Sequence, residues 1–114
     1  MTELRITVQV LKVIRVFLAR GLEDRTYGLQ LMQLTGLKSG TLYPILARLE
    51  QAGWIISEWE AVKPSDVGRP RRRNYKLTGA GQAAGLEAMQ EYRQLAGPTT
   101  AQPPRPRLTA WGLA

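Results

Sequence analysis

Residues 39–55 read SGTLYPILARLEQAGWI, and the spacing of their apolar members marks a helix followed at once by a strand. Leu42, Ile45, Leu46 and Leu49 fall at i, i+3, i+4 and i+7, which is one stripe of a helix with about 3.6 residues per turn. Ser39 is a cap candidate for its start, and Gly53 closes it. Pro44 removes one backbone hydrogen bond and crowds the carbonyl of Gly40, four residues earlier. Because Gly40 has no side chain, the spacing predicts Pro44 near the start of the helix, with an irregular first turn. From Trp54 the period drops to two. Ile55, Ser57, Trp59 and Ala61 alternate with Ile56, Glu58, Glu60 and Val62, which predicts a strand.

Toward the N-terminus, Thr7 caps a helix carrying Val10, Leu11, Ile14, Phe17 and Leu18 on one side, with Gly21 as its stop. Thr26 opens a shorter helix over Tyr27 to Leu34, in which Leu31 and Leu34 face the same core. Toward the C-terminus, residues 63–73 contain Pro64, Gly68 and Pro70 without apolar period, and predict a loop. Asn74 to Leu77 form a second short strand. Thr78 caps a last helix over residues 78–96, with Leu86, Met89 and Tyr92 at steps of three. After Gly97, prolines and small polar residues replace any pattern. The expected organisation is therefore a single domain over residues 1–96 and a proline-rich, disordered tail over 97–114, in which Trp111 is an isolated docking candidate.

The order helix, helix, turn, helix, strand, basic loop, strand, helix is that of a winged helix-turn-helix. The expected fold is mainly α with a small β-hairpin: a three-helix core, a two-stranded wing and a C-terminal dimerisation helix. In such a fold the third helix, residues 39–52, enters the major groove, and the wing, residues 63–73, approaches backbone or minor groove.

Composition narrows the partners. Sixteen Lys and Arg face nine Asp and Glu, for a formal charge of +7 over 114 residues. Lys63, Arg69, Arg71, Arg72, Arg73 and Lys76 are opposed locally only by Asp66, so most of the excess sits in the loop and its exit strand. A focused cationic patch steers a polyanion, either nucleic acid or an anionic membrane surface. Charges interrupt every apolar run, so no spanning segment is expected. The opening Met-Thr-Glu-Leu-Arg-Ile lacks a secretory leader, which predicts a cytoplasmic protein. Without Cys or His, disulfides, thiol chemistry and the commonest metal ligand are excluded, and no cofactor or metal is expected. Glu58, Glu60 and Asp66 have no histidine, cysteine or glycine-rich cradle to join them in a catalytic set, so the sequence does not read as an enzyme.

Gly40-Thr41-Leu42-Tyr43-Pro44, then Leu46, Arg48-Leu49-Glu50 and Gly53-Trp54-Ile55, resemble the PadR family of bacterial transcriptional regulators. Tyr27-Gly28, Gly68-Arg69-Pro70-Arg71, Tyr75-Lys76-Leu77-Thr78 and Gly81 are similar to the same family, and the resemblance spans residues 5 to 96. It implies a homodimer that binds double-stranded operator DNA in a bacterial cytoplasm, usually as a repressor. In some members the C-terminal helical region also contributes to a pocket for a small-molecule effector. Here that region is short, so neither dimer geometry nor an effector carries over.

The residues themselves leave two uses open at several positions. Lys38, Ser39, Thr41 and Tyr43 lie where a reading helix meets phosphates and base edges, while Ser39 is equally a cap. Arg48 faces away from the apolar stripe and serves either a phosphate or a local contact. Lys63, Arg69, Arg71, Arg72 and Arg73 are wing candidates for duplex DNA, the arginines because local carboxylates are too few to pair with them. Leu86, Met89 and Tyr92 form either a dimer seam or a face packed back on the first helix. An alternative reading of the whole is a protein-interaction module whose basic wing meets an acidic partner.

Overall fold

Thr7 starts the first helix as its sequence suggests: its hydroxyl accepts the Val10 N–H at 3.2 Å, satisfying one of the free donors of the opening turn. The computed structural model describes residues 4–96. Helix α1 runs Val8–Arg20 and buries Val10, Leu11, Val13, Ile14, Val16 and Phe17. Leu18 packs against the core while remaining partly exposed.

Thr26 does not open the second helix. It forms, with Tyr27, a two-residue strand, β1 (Thr26–Tyr27), and its side chain is buried. Helix α2 follows as Gly28–Thr35 with Tyr27 at its cap, where the Gln30 side-chain oxygen accepts the Tyr27 N–H at 3.2 Å. Leu31 is fully buried, but Leu34, expected to share its core, is exposed.

Helix α3 spans Ser39–Gln51, and its four stripe residues are all buried. Lys38, not Ser39, is the cap, without a capping side chain. Its carbonyl accepts both the Thr41 and the Leu42 N–H, at 3.0 and 2.9 Å, a tightened first turn of the kind expected beside Pro44. Strand β2 (Ile55–Trp59) stops short of the predicted alternation through Val62. A one-turn helix, α4 (Pro64–Val67), lies inside what the composition presented as plain loop, with Pro64 at its start.

Strand β3 (Arg73–Leu77) pairs antiparallel with β2, Ile55 opposite Leu77 and Trp59 opposite Arg73. It also pairs with β1, Thr26 opposite Tyr75. The two-stranded wing of β2 and β3 is therefore extended by β1 into a three-stranded sheet in the order β1-β3-β2. Ile55, Tyr75 and Leu77 close the core beneath α1 and α3.

Helix α5 is Gly79–Ala96. The Thr78 hydroxyl accepts the Gly81 N–H at 2.9 Å and lies 2.7 Å from the Gly53 carbonyl, to which it donates. This ties the start of α5 to the end of α3. The face that α5 turns inward is small: Gly81, Gly85 and Ala88 are buried, while Leu86 and Tyr92 are exposed and Met89 is half-buried. The large apolar stripe is thus not the main packing face on α1. Gly81 lies so close to the Trp54 backbone that a Cβ there would strike the Trp54 carbonyl oxygen, a close approach only glycine permits. Among the described residues no helix is long and apolar enough to cross a membrane. The tail with Trp111 lies outside the described residues.

Candidate nucleic-acid interface

Helix α3 leaves Ser39, Gly40, Thr41, Tyr43, Pro44, Ala47 and Arg48 exposed. At about 100° per residue, Tyr43 falls on the same side as Glu50, and Thr41 and Arg48 fall on the opposite side. The exposed surface of the helix is thus divided between two neighbourhoods. On the Glu50 side, Tyr43 leans on Gly28 at the start of α2, so closely that a Cβ at Gly28 would occupy the place of its phenol oxygen.

The wing is braced by a carboxylate. Glu60 receives the Arg69 guanidinium on both oxygens, at 2.7 and 3.0 Å, and its first oxygen also accepts the Arg72 backbone N–H at 3.0 Å. The Glu60 N–H donates to the Arg72 carbonyl at 2.8 Å, which completes a closed ring at the neck of the loop. The hydrogen bonds from Arg69, followed by that from the Arg72 backbone, hold the Glu60 carboxyl well below its ordinary value of 4.5, at about 2. The same pairing raises Arg69. Arg71 spans the loop, its Nε donating to the Val62 carbonyl at 2.8 Å.

Arg72 and Arg73, neighbours in sequence, lie over rings on different elements. The Arg72 guanidinium lies 4.1 Å from the centre of the Tyr27 ring, at the cap of α2. Arg73 lies 5.5 Å from the centre of the Trp59 ring, donates to the Ser57 hydroxyl at 3.0 Å and stands 3.6 Å from Glu50 of α3. Ser57 in turn donates to Glu50 at 2.7 Å. The root of the wing is therefore joined to α2 through Arg72 and to α3 through Arg73.

This corrects one expectation. Arg69 has a bidentate carboxylate partner and Arg73 a looser one, so the arginine run is not uniformly unpaired. Arg71, Arg72, Lys63, Lys38 and Arg48 have no carboxylate partner among the described residues. Sequence reasoning also missed Tyr27, Trp59 and Glu60 as residues that orient the cations. Trp59 meets Arg73 only through the pairing of β2 with β3, so no local signal marks it.

A second feature lies between α1, α2 and α5. Val8, Leu11, Leu34, Met89 and Tyr92, with the stems of Lys12 and Arg15, line an apolar groove of about 370 Å³ between α1, the end of α2 and α5. Of the expected seam residues, Met89 and Tyr92 line it and Leu86 does not. Among the described residues no cluster of His, Cys, Asp or Glu is arranged to hold a metal ion.

The PadR-like transcriptional regulator family model matches residues 18–87. No curated protein matches the chain by sequence. Among solved structures, the smu.1704 protein of Streptococcus mutans is 29% identical, with a TM-score of 0.58 over 78% of this chain and 83% of that one. A PadR family transcriptional regulator from Eggerthella lenta is 26% identical, with a TM-score of 0.59 over 74% and 73%. AbfR of Staphylococcus epidermidis, in a structure bound to DNA, is 26% identical, with a TM-score of 0.61 over 82% of this chain and 62% of AbfR. With its three-stranded winged helix-turn-helix and a family match over well more than half its length, the chain belongs to the PadR-like family of transcriptional regulators and not to a family of enzymes.

Proposed function

We propose that this protein is a sequence-specific repressor that binds duplex operator DNA as a homodimer. Helix α3 enters the major groove, with Lys38, Ser39, Thr41 and Tyr43 at its leading end. The wing, residues 63–73, follows the adjacent backbone or minor groove through Lys63, Arg71 and Arg72. Arg69 acts mainly by shaping the loop. The observation that carries this reading is the double attachment of the wing root, Arg72 on Tyr27 and Arg73 on Glu50, which keeps cations and reading helix in one assembly. AbfR, similar over most of this chain, is bound to DNA in its own structure, and this supports a duplex as the partner.

Residues 1–96 are proposed as the DNA-binding unit. The seam between two copies is proposed to run along Met89 and Tyr92, with Leu86 at its edge, because Met89 and Tyr92 line an apolar groove on α5 and the same helix exposes Leu86 and Leu95. Two-fold symmetry then calls for half-sites about one helical turn, roughly 34–36 Å, apart. Electrophoretic shift and footprinting on the protein's own promoter region test the reading. A protected near-palindrome is the expected result. Affinity no higher than for random duplex at every salt concentration would refute specific regulation, and promoter activity unchanged by the bound protein would refute repression.

A further inference from the structure

The side of α3 opposite Glu50 borders a second cleft. Gly40, Thr41, Pro44 and Arg48 form one wall, and Arg5, from the segment that leads into α1, and Gln9, in its first turn, form the other, enclosing about 580 Å³. It carries an arginine on each wall, no carboxylate lines it, and Arg5 and Arg48 have no carboxylate partner among the described residues. Both arginines are exposed. At Gly40 the wall is open, because the residue has no side chain and even an added Cβ there would meet nothing within 4 Å. An open, neutral cleft between two guanidinium forks suits a phosphodiester strand, since each fork donates to two phosphate oxygens and nothing bulky holds the strand away.

We infer that Arg5 and Arg48 form a second phosphate-binding flank, which holds the sugar–phosphate backbone on the side of α3 away from the wing. The inference rests on the proposed duplex partner and extends it, because α3 is then gripped along both of its exposed sides. Thr41 and Gln9 supply neutral donors between the two arginines. Arg5 stands outside every periodic element, and nothing in the local sequence marks it.

The test is the salt dependence of binding of the full chain to a fluorescein-labelled duplex of mixed sequence, about three helical turns long. Removing one phosphate interaction lowers the slope of log K against log salt by about 0.9. Arg5→Gln and Arg48→Gln are each expected to lower it by about that amount and together by about twice as much, with unchanged thermal melting. Arg48→Lys, which keeps the charge, is expected to keep the slope. Arg93→Gln on α5 serves as the control for removing a charge elsewhere and leaves the slope at the wild-type value. If Arg5→Gln and Arg48→Gln behave like Arg93→Gln while Arg72→Gln lowers the slope, the second flank is refuted and the duplex reading stands. A lowered melting temperature with an unchanged slope assigns Arg48 to the helix end alone and also refutes it. If the wild-type chain shows no salt-dependent affinity for the duplex, the proposed function falls, and this inference with it.

Discussion

Glu60 and Arg69 meet through two hydrogen bonds, at 2.7 and 3.0 Å, across the neck of the wing. Because the folded Glu60 carboxyl titrates near 2 instead of 4.5, the contribution of this clamp to wing order is complete above the unfolded value. It is lost as pH falls from about 4.5 through about 2, where the folded protein must also take up the proton. The wing is therefore expected to hold its shape across the neutral and mildly acidic range. Carboxyl chemical shifts followed by NMR check this, and a Glu60 midpoint near 4.5 would contradict the clamp.

Helix propensity and packing make opposite predictions for Gly81→Ala. Propensity alone favours alanine by up to about 1 kcal/mol, but the new Cβ would strike the Trp54 carbonyl, and overpacking of a fixed backbone costs about 1–3 kcal/mol. A net decrease in stability is expected. Gly40→Ala, in open space within α3, is expected to gain about 0.5 kcal/mol. Urea denaturation of the pair, read at equal m-value, separates the two effects.

Tyr27 orients Arg72 by presenting a ring to its guanidinium. A half-buried cation–π contact such as this one is worth about 0.5–2 kcal/mol, so Tyr27→Ala should weaken duplex binding by about two- to thirtyfold, while Tyr27→Phe retains the ring and most of the affinity. Arg72→Ala should cost more, because its phosphate interaction goes as well. In the double variant the Tyr27 effect should vanish. Additive decreases in fluorescence anisotropy would show that Tyr27 does not act through Arg72.

Met89→Glu or Tyr92→Glu places a charge on the proposed seam. In the single chain Met89 is half-buried at the groove wall and Tyr92 is exposed, so the fold should survive and the dimer should not. Sedimentation velocity is expected to show monomer for either variant, with affinity for a two-half-site duplex falling while wild type sediments as dimer. A dimer that persists in both variants would place the seam elsewhere.

The periodic elements were legible because their signal is local. The stripe of α3, the Thr7 cap and the Thr78 start of α5 all depend on residues within two turns of one another. The misreadings share a different cause. Two residues have no period, so Thr26 and Tyr27 could be recognised as β1 only through their partners Tyr75 and Asn74 in β3. Likewise, counting charges around residues 69–73 set the arginines against Asp66 and overlooked Glu60, which the turn of the wing brings back onto Arg69. The apolar stripe of α5 was visible, but which face would turn inward depended on Gly81 against Trp54, Gly85 against Ile14 and Leu18 of α1, and Ala88, whose small size a hydrophobicity pattern does not register.

Strand β1 also has a mechanical consequence. By adding its two residues to the free edge of β3, it stitches the chain just ahead of the helix-turn-helix to the outgoing limb of the wing, which braces the wing at its base. Such a body meets its target like a rigid stamp. For a duplex gripped as proposed, the adjustment needed to bring groove and flanking phosphates into register falls on the curvature of the DNA, and stiff sequences would be disfavoured at positions the protein never touches.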